Sequence, residues 1–180
     1  MPLVEPSVDE LPSTAPAERD EAELVRRARL GSSAAFEQLV LARGPQLYRF
    51  LFVRLRDDAD ARDALQETLT AAWLGLPRLH ETSRFWPWLC GIAAHKAVDA
   101  TRGRGGVVEV PVEVPAPDRG GALEIREAVA ALPEPLQQVL LLRYLLGLSE
   151  TEAARALGVR VGTVKSRSAR ARTAFMEVWR

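Results

Sequence analysis

The stretch best equipped for chemistry is LGVRVGTVKSRSARAR, Leu157–Arg172, which leads into a basic end: one Lys and five Arg lie between Arg160 and Arg180. At 3.6 residues per turn, Val161, Val164, Ala171, Phe175 and Val178 gather on one side of a helix. Lys165, Ser166, Arg167, Arg170 and Arg172 take most of the remaining circumference. An apolar stripe can seat such a helix on a domain while the basic arc meets a polyanion. The B-form major groove, about 12 Å wide, admits one helix, and Arg or Lys then bonds guanine edges or phosphates. A basic helix facing only solvent has the same pattern, so the preceding residues decide. Ser149 and Glu152 have the spacing of a capping box, which starts a helix over 150–157 that Gly158 ends. A second helix over 162–179 then completes helix, short turn and helix, the layout whose second member enters the major groove. Arg160 stands where Ser or Thr would cap that helix, and is free to hold a phosphate near its start. Ser168 falls on the apolar stripe, where its hydroxyl is expected to bond back to the Val164 carbonyl.

Chemistry of other kinds finds no residues to carry it. Cys90 is the only cysteine, and His80 and His95 are too scattered to suggest a metal site. No Gly-Lys-Ser/Thr phosphate loop, carboxylate cluster or His/Cys constellation occurs, so no catalytic activity, metal or cofactor is expected. The 24 basic and 24 acidic residues cancel, but unevenly. Met1–Leu24 holds seven acids and one base, Val25–Arg56 seven arginines and one acid, and Leu157–Arg180 six bases and one acid. Zero net charge thus hides two basic blocks, an asymmetry that suits a polyanionic partner. The proline- and acid-rich first 20 residues lack the basic start and apolar run of a signal peptide and read as a disordered tail. No apolar run approaches the roughly 20 residues of a membrane span, since VLLLRYLLGL is short and broken by Arg143. A cytoplasmic protein is expected.

The elements that must position these residues read as helices throughout. A short helix over 21–30 ends at Gly31, and Ser32 or Ser33 caps a longer one carrying Phe36, Leu39, Val40, Leu47, Phe50, Leu51 and Leu55. Gly44-Pro45 is expected to kink or split it. A third helix runs from near Ala59 to about Leu76, with Ala64, Leu65, Leu69, Ala72 and Trp73 on one face, and Pro77 closes it. After the polar connection PRLHETSR, a fourth spans 84–102 with Trp88, Leu89, Ile92, Ala93 and Val98 inward. Residues 103–121, with five Gly and three Pro, then read as a flexible linker; Pro111 argues against a strand in the alternating Val107–Val114. Helices over 122–132, 135–146, 150–157 and 162–179 follow. The fold class is therefore all-α: two small helical domains, 21–102 and 122–180, joined by a Gly/Pro linker, the second containing a helix-turn-helix.

With three stretches in this order, the chain resembles the bacterial RNA polymerase sigma factors of the extracytoplasmic-function group. ALPEPLQQVLLLRYLLGLSETEAARALGVRVGTVKSRSARAR is similar to their −35-binding region. DARDALQETLTAAW is similar to their polymerase-binding helix, and FWPWLCGIAAHKAVDATR to the segment that opens and reads the −10 element. The resemblance covers about 25–102 and 122–178. It implies that Asp60, Asp63, Gln66 and Glu67 dock on the core polymerase, with Arg62 and Ala64 standing where an acid and a larger aliphatic are frequent. It implies that His80, Glu81, Thr82, Ser83 and Arg84 form a loop holding a flipped −10 base. Trp86, His95, Lys96, Asp99 and Arg102 would face the opened DNA, His95 replacing a frequent Asn and Trp86 offering a ring to stack on a base. The −35 contacts would fall to Arg160, Thr163, Lys165, Ser166, Arg167, Ala169 and Arg170. It also implies an anti-sigma partner and a linker in the RNA exit path, where Glu109, Glu113 and Asp118 would mimic nucleic acid. Read without the resemblance, the residues also suit a free-standing helix-turn-helix regulator or a helical protein-interaction adaptor. A regulator of that kind would need neither Asp60–Trp73 nor the aromatic fourth helix.

Overall fold

The computed structural model describes residues 18–103 and 122–179, and all regular structure among them is helical. Residues 1–17 of the expected tail and 104–121 of the expected linker lie outside the described residues, whereas Glu18–Asp20, read as the end of a disordered tail, form the first turn of a helix and Gly103 ends another. The helices are α1 (Glu18–Arg29), α2 (Ser33–Leu55), α3 (Asp58–Gly75), α4 (Phe85–Gly103), α5 (Ala122–Ala130), α6 (Glu134–Leu140), α7 (Glu150–Leu157) and α8 (Val161–Val178). Two 3₁₀ turns, Leu76–Arg78 and Thr82–Arg84, join α3 to α4.

Local signals place most boundaries. Gly31, at φ +94°, turns the chain out of α1, and the Ser32 hydroxyl accepts from the Ala35 amide to start α2. Asp57 caps α3 by accepting from the Asp60 amide at 2.9 Å. Ser149 and Glu152 form the full capping box of α7, each side chain bonding the other's backbone N–H, and Gly158 ends α7 in the left-handed region. The start of α8 has no side-chain cap: Arg160 sits at that position and makes no such bond.

Tertiary packing overrides local rules at three places. Pro45 neither splits nor ends α2, which runs unbroken from Ser33 to Leu55. Leu39 before it and Leu47, Phe50 and Leu51 after it are all buried, so packing on α1, α3 and α4 holds both halves in one continuous helix. The expected single helix over 135–146 instead loosens into a π-helical turn, Leu141–Leu145, which closes at Gly147 (φ +72°). On α8 only Val164, Ser168 and Ala171 are buried, whereas Val161 and Val178 are exposed, so the apolar stripe is narrower than the periodicity predicts.

One hydrophobic cluster runs through both groups of helices. Phe50, Phe85 and Leu89 anchor it in the first group, and Val139, Leu142 and Val164 in the second. The seam between the groups is α4 against α7. A Cβ on Gly91 would come within 3.2 Å of the Ala156 Cα and carbonyl oxygen, so these helices meet backbone to backbone. A second tie, within the first group, joins α2 to α3. The Tyr48 hydroxyl donates to Asp58, Arg62 Nε donates to the same carboxylate at 2.8 Å, and the Arg62 guanidinium lies over the Tyr48 ring.

Two measurements check this packing. The Ser168 hydroxyl is buried without a hydrogen-bond partner, and the expected bond to the Val164 carbonyl is not made. Ser168→Ala removes that desolvated group and is expected to stabilise the protein by about 1 kcal/mol in urea unfolding. A loss of stability would mean that the hydroxyl is satisfied in solution. Arg62 and then Tyr48 hold the Asp58 carboxyl below its ordinary range, while Asp58 and burial raise the Tyr48 phenol above 10.0. The Asp58 contribution is therefore present above its unfolded pKa and fades as pH falls through the depressed folded value. That of Tyr48 is present below its unfolded pKa and fades as pH rises through the raised value. In a tyrosinate absorbance titration, Asp58→Asn should bring the raised Tyr48 step back toward the ordinary value, and Tyr48→Phe should abolish that step.

Candidate nucleic-acid interface

The exposed side of α8 follows from what its other side must do. α6 and α7 pack against it, covering Val164, Ser168 and Ala171. Lys165, Ser166, Ala169, Arg170 and Arg172 are left in solvent, with Arg167 and Thr163 half-buried at the edge. Arg160, exposed at the entrance, leaves the first amides of α8 uncapped, a local positive end that suits a phosphate. Lys165 has one weak carboxylate neighbour, Glu150 at 3.9 Å, and Arg170 has no ion-pair partner among the described residues. The Ser166 hydroxyl turns back to the Thr163 carbonyl at 3.0 Å, and its oxygen remains able to accept. Cations with little local compensation on an exposed helix can exchange solvent counterions for phosphates and reach base edges.

The second candidate set is divided by the fold. His95, Lys96 and Asp99 line one groove with Arg84, and Glu152 and Arg155 of α7 form its opposite wall. Leu79, Trp88 and Ile92 supply apolar lining to this space of about 550 Å³. His95 Nδ1–H donates to the Gly91 carbonyl at 2.7 Å, which fixes the tautomer and leaves Nε2 as an acceptor when the ring is neutral. In the loop, Arg84 pairs with Glu81 at 2.6 Å, His80 is exposed and Thr82 half-buried. The side chains of Ser83 and Arg102 lie outside the described set. Trp86 stands apart from the others. Its indole N–H donates to the Leu146 carbonyl at 3.1 Å and the Arg43 guanidinium covers its ring at 4.6 Å, so its face is occupied within the protein.

The third set lies along α3. Asp63, Gln66 and Glu67 are exposed, and Asp60 is half-buried in the first turn. Glu67 reaches Lys96 of α4 at 2.9 Å, so the second and third sets adjoin along the α3–α4 edge. Periodicity assigns Leu65, Leu69 and Trp73 to the core, but they are only half-buried. The buried side of α3 is Ala61, Ala64, Thr68 and Ala72. Leu65, Leu69 and Trp73 instead line, with Phe36, Pro45 and Tyr48, an apolar groove of about 700 Å³ whose rim includes Gln66 and Arg62. Sequence reasoning misses this groove because aromatic and leucine side chains at helical spacing look alike whether they line a core or a cleft. Pro45 is the one local sign of an interrupted surface there.

Known proteins give the same division. Residues 39–106 match the family model described as sigma-70 region 2, and residues 122–175 match sigma-70, region 4. The probable RNA polymerase sigma-C factor of Mycobacterium bovis is 35% identical, the match covering 91% of this chain and 94% of that protein. The extracytoplasmic-function sigma factor SigM of Mycobacterium tuberculosis is 33% identical over 86% and 82% of the two chains. Among solved structures, CnrH in complex with the cytosolic domain of CnrY superposes with a TM-score of 0.71 at 28% identity, covering 88% of this chain and 96% of that one. The sigma factor RpoE of Bartonella quintana, in complex with the anti-sigma factor NepR, gives 0.72 at 26% identity over 79% and 95%. With α3 and α4 falling in region 2 and the α7–α8 pair in region 4, the chain belongs to the extracytoplasmic-function group of RNA polymerase sigma factors.

Proposed function

We propose that this sigma factor binds core RNA polymerase through α3, reads the −35 element with α8 and captures opened −10 DNA along α4. The observation that carries the reading is the exposed basic face of α8, held from behind by α6 and α7 on a capped helix-turn-helix. Arg170, Lys165, Ser166 and Ala169 lie where a major-groove helix meets bases, and Arg160, Thr163 and Arg167 flank them for phosphate contact. Asp60, Asp63, Gln66 and Glu67 form the polar rim of the α3 surface, and the neighbouring apolar groove adds area that polar contacts alone would lack. His95, Lys96, Asp99 and the loop 80–84 serve the −10 element. Melting then draws on the capture of unstacked bases, with no chemistry by the protein itself.

Among the described residues no helix is long and apolar enough to cross a membrane. We place the protein in the cytoplasm with its polymerase. Both structural neighbours described above are held by partner proteins, one of them an anti-sigma factor, and this chain is assigned a regulator of that kind.

Transcription with purified core polymerase tests the reading. The protein should direct initiation at a defined start, and Gln66→Ala with Glu67→Ala should weaken core binding without changing duplex binding by α8. Arg170→Ala should cost about 1–3 kcal/mol at one −35 position and relax selectivity there. Equal loss on all sequences would make Arg170 a phosphate contact instead. Absence of any core binding would overturn the reading.

A further inference from the structure

The cations of α8, Lys165, Arg167, Arg170 and Arg172, stand on or beside its outward face, and they are not equally free. Among the described residues Lys165 alone of these has a carboxylate neighbour: its Nζ lies 3.9 Å from Oε2 of Glu150, the first residue of α7. Helix α7 does not need that acid for its own start. Ser149 caps it, and Glu152 closes the capping box by accepting from the Ser149 amide at 2.7 Å. The Glu150 side chain is 34% exposed and that of Lys165 65% exposed, so the pair faces solvent mainly through the lysine. At 3.9 Å the contact acts through charge and is too long for a hydrogen bond. The ammonium therefore keeps all its donors while losing much of its field.

We propose that Glu150 is a specificity-determining residue of the −35 contact: it offsets the charge of Lys165 toward phosphates and leaves the lysine's donors to a base edge. The proposal rests on the reading of α8 given above. A nonspecific complex is held by neutralised phosphates and released counterions, which is to say by charge alone. A specific complex adds hydrogen bonds to groove edges, and these need donors in place. A carboxylate beside the cation weakens the first far more than the second. Placement adds to the effect. In a helix-turn-helix the second helix enters the major groove with its first residues at the bases, while the helix before it crosses the backbone. Lys165 is the fifth residue of α8 and Glu150 the first of α7, so Glu150 comes alongside the phosphates that Lys165 would otherwise grip. There its negative charge repels the backbone, most of all where no base contact compensates. Selectivity rises because the wrong complex is weakened more than the right one. Arg170, with no carboxylate neighbour among the described residues, keeps the general attraction to DNA.

Glu150→Gln tests this, because it keeps the side chain's size and removes its charge. Its urea midpoint should match that of the unaltered protein, since the capping box is untouched. The main readout is initiation with core polymerase on two templates that share a −10 element, one with its −35 element intact and one with it scrambled. Glu150→Gln should raise use of the scrambled template about fivefold and that of the intact one little, so that the preference falls at least about threefold. Binding of the full chain to the scrambled duplex should also depend more steeply on salt. The slope of log K against log salt concentration should steepen by about 0.9, one additional counterion. Adding Lys165→Gln should return that slope to its original value, because both charges of the pair are then gone. An unchanged preference, an equal rise on both templates, or a steeper slope that persists without Lys165 would overturn the proposal. Initiation by the unaltered protein that ignores the scrambling would instead overturn the −35 reading, and with it any role of Glu150 in selection.

Discussion

The missing side chain at Gly91 sets the arrangement of everything that follows it. With no Cβ there, α4 approaches the Ala156 backbone closely enough that any other residue would push α7 away by a few tenths of an ångström. α7 in turn carries α8, joined through the left-handed turn at Gly158, so the orientation of the basic face relative to the first helices descends from that one contact. The π-turn belongs to the same constraint. By widening the helix end it sets the Leu145 and Leu146 carbonyls toward α2 and α4, where Gln46 and Trp86 supply the donors that the helix cannot.

The parts of this structure that were legible in the sequence are those decided within a few residues. Ser149, Glu152 and Gly158 specify α7 whatever surrounds it, and Ser32 and Gly31 do the same between α1 and α2. The basic face of α8 was legible because charge is excluded from the side that packs. Pro45 shows the opposite case: a local rule predicts a break, and burial on both sides of it wins. The π-turn leaves no trace in LLLRYLLGL, which reads equally well as an ordinary helix. Trp86 looked available for stacking because periodicity sets it off the apolar face, and only the fold reveals Leu146 beside it, 60 residues away.

Charge on this chain is sorted rather than balanced. Lys96 is compensated by Glu67 and Arg84 by Glu81, whereas Arg170 on α8 has no ionic partner among the described residues. Exposed pairs of this sort contribute at most about 1 kcal/mol each and exchange readily for phosphates. The groove beside α4 is thus electrostatically quiet, its Lys96 and Arg84 already paired with carboxylates. The exposed face of α8 carries its charge openly, which favours contact with a polyanion.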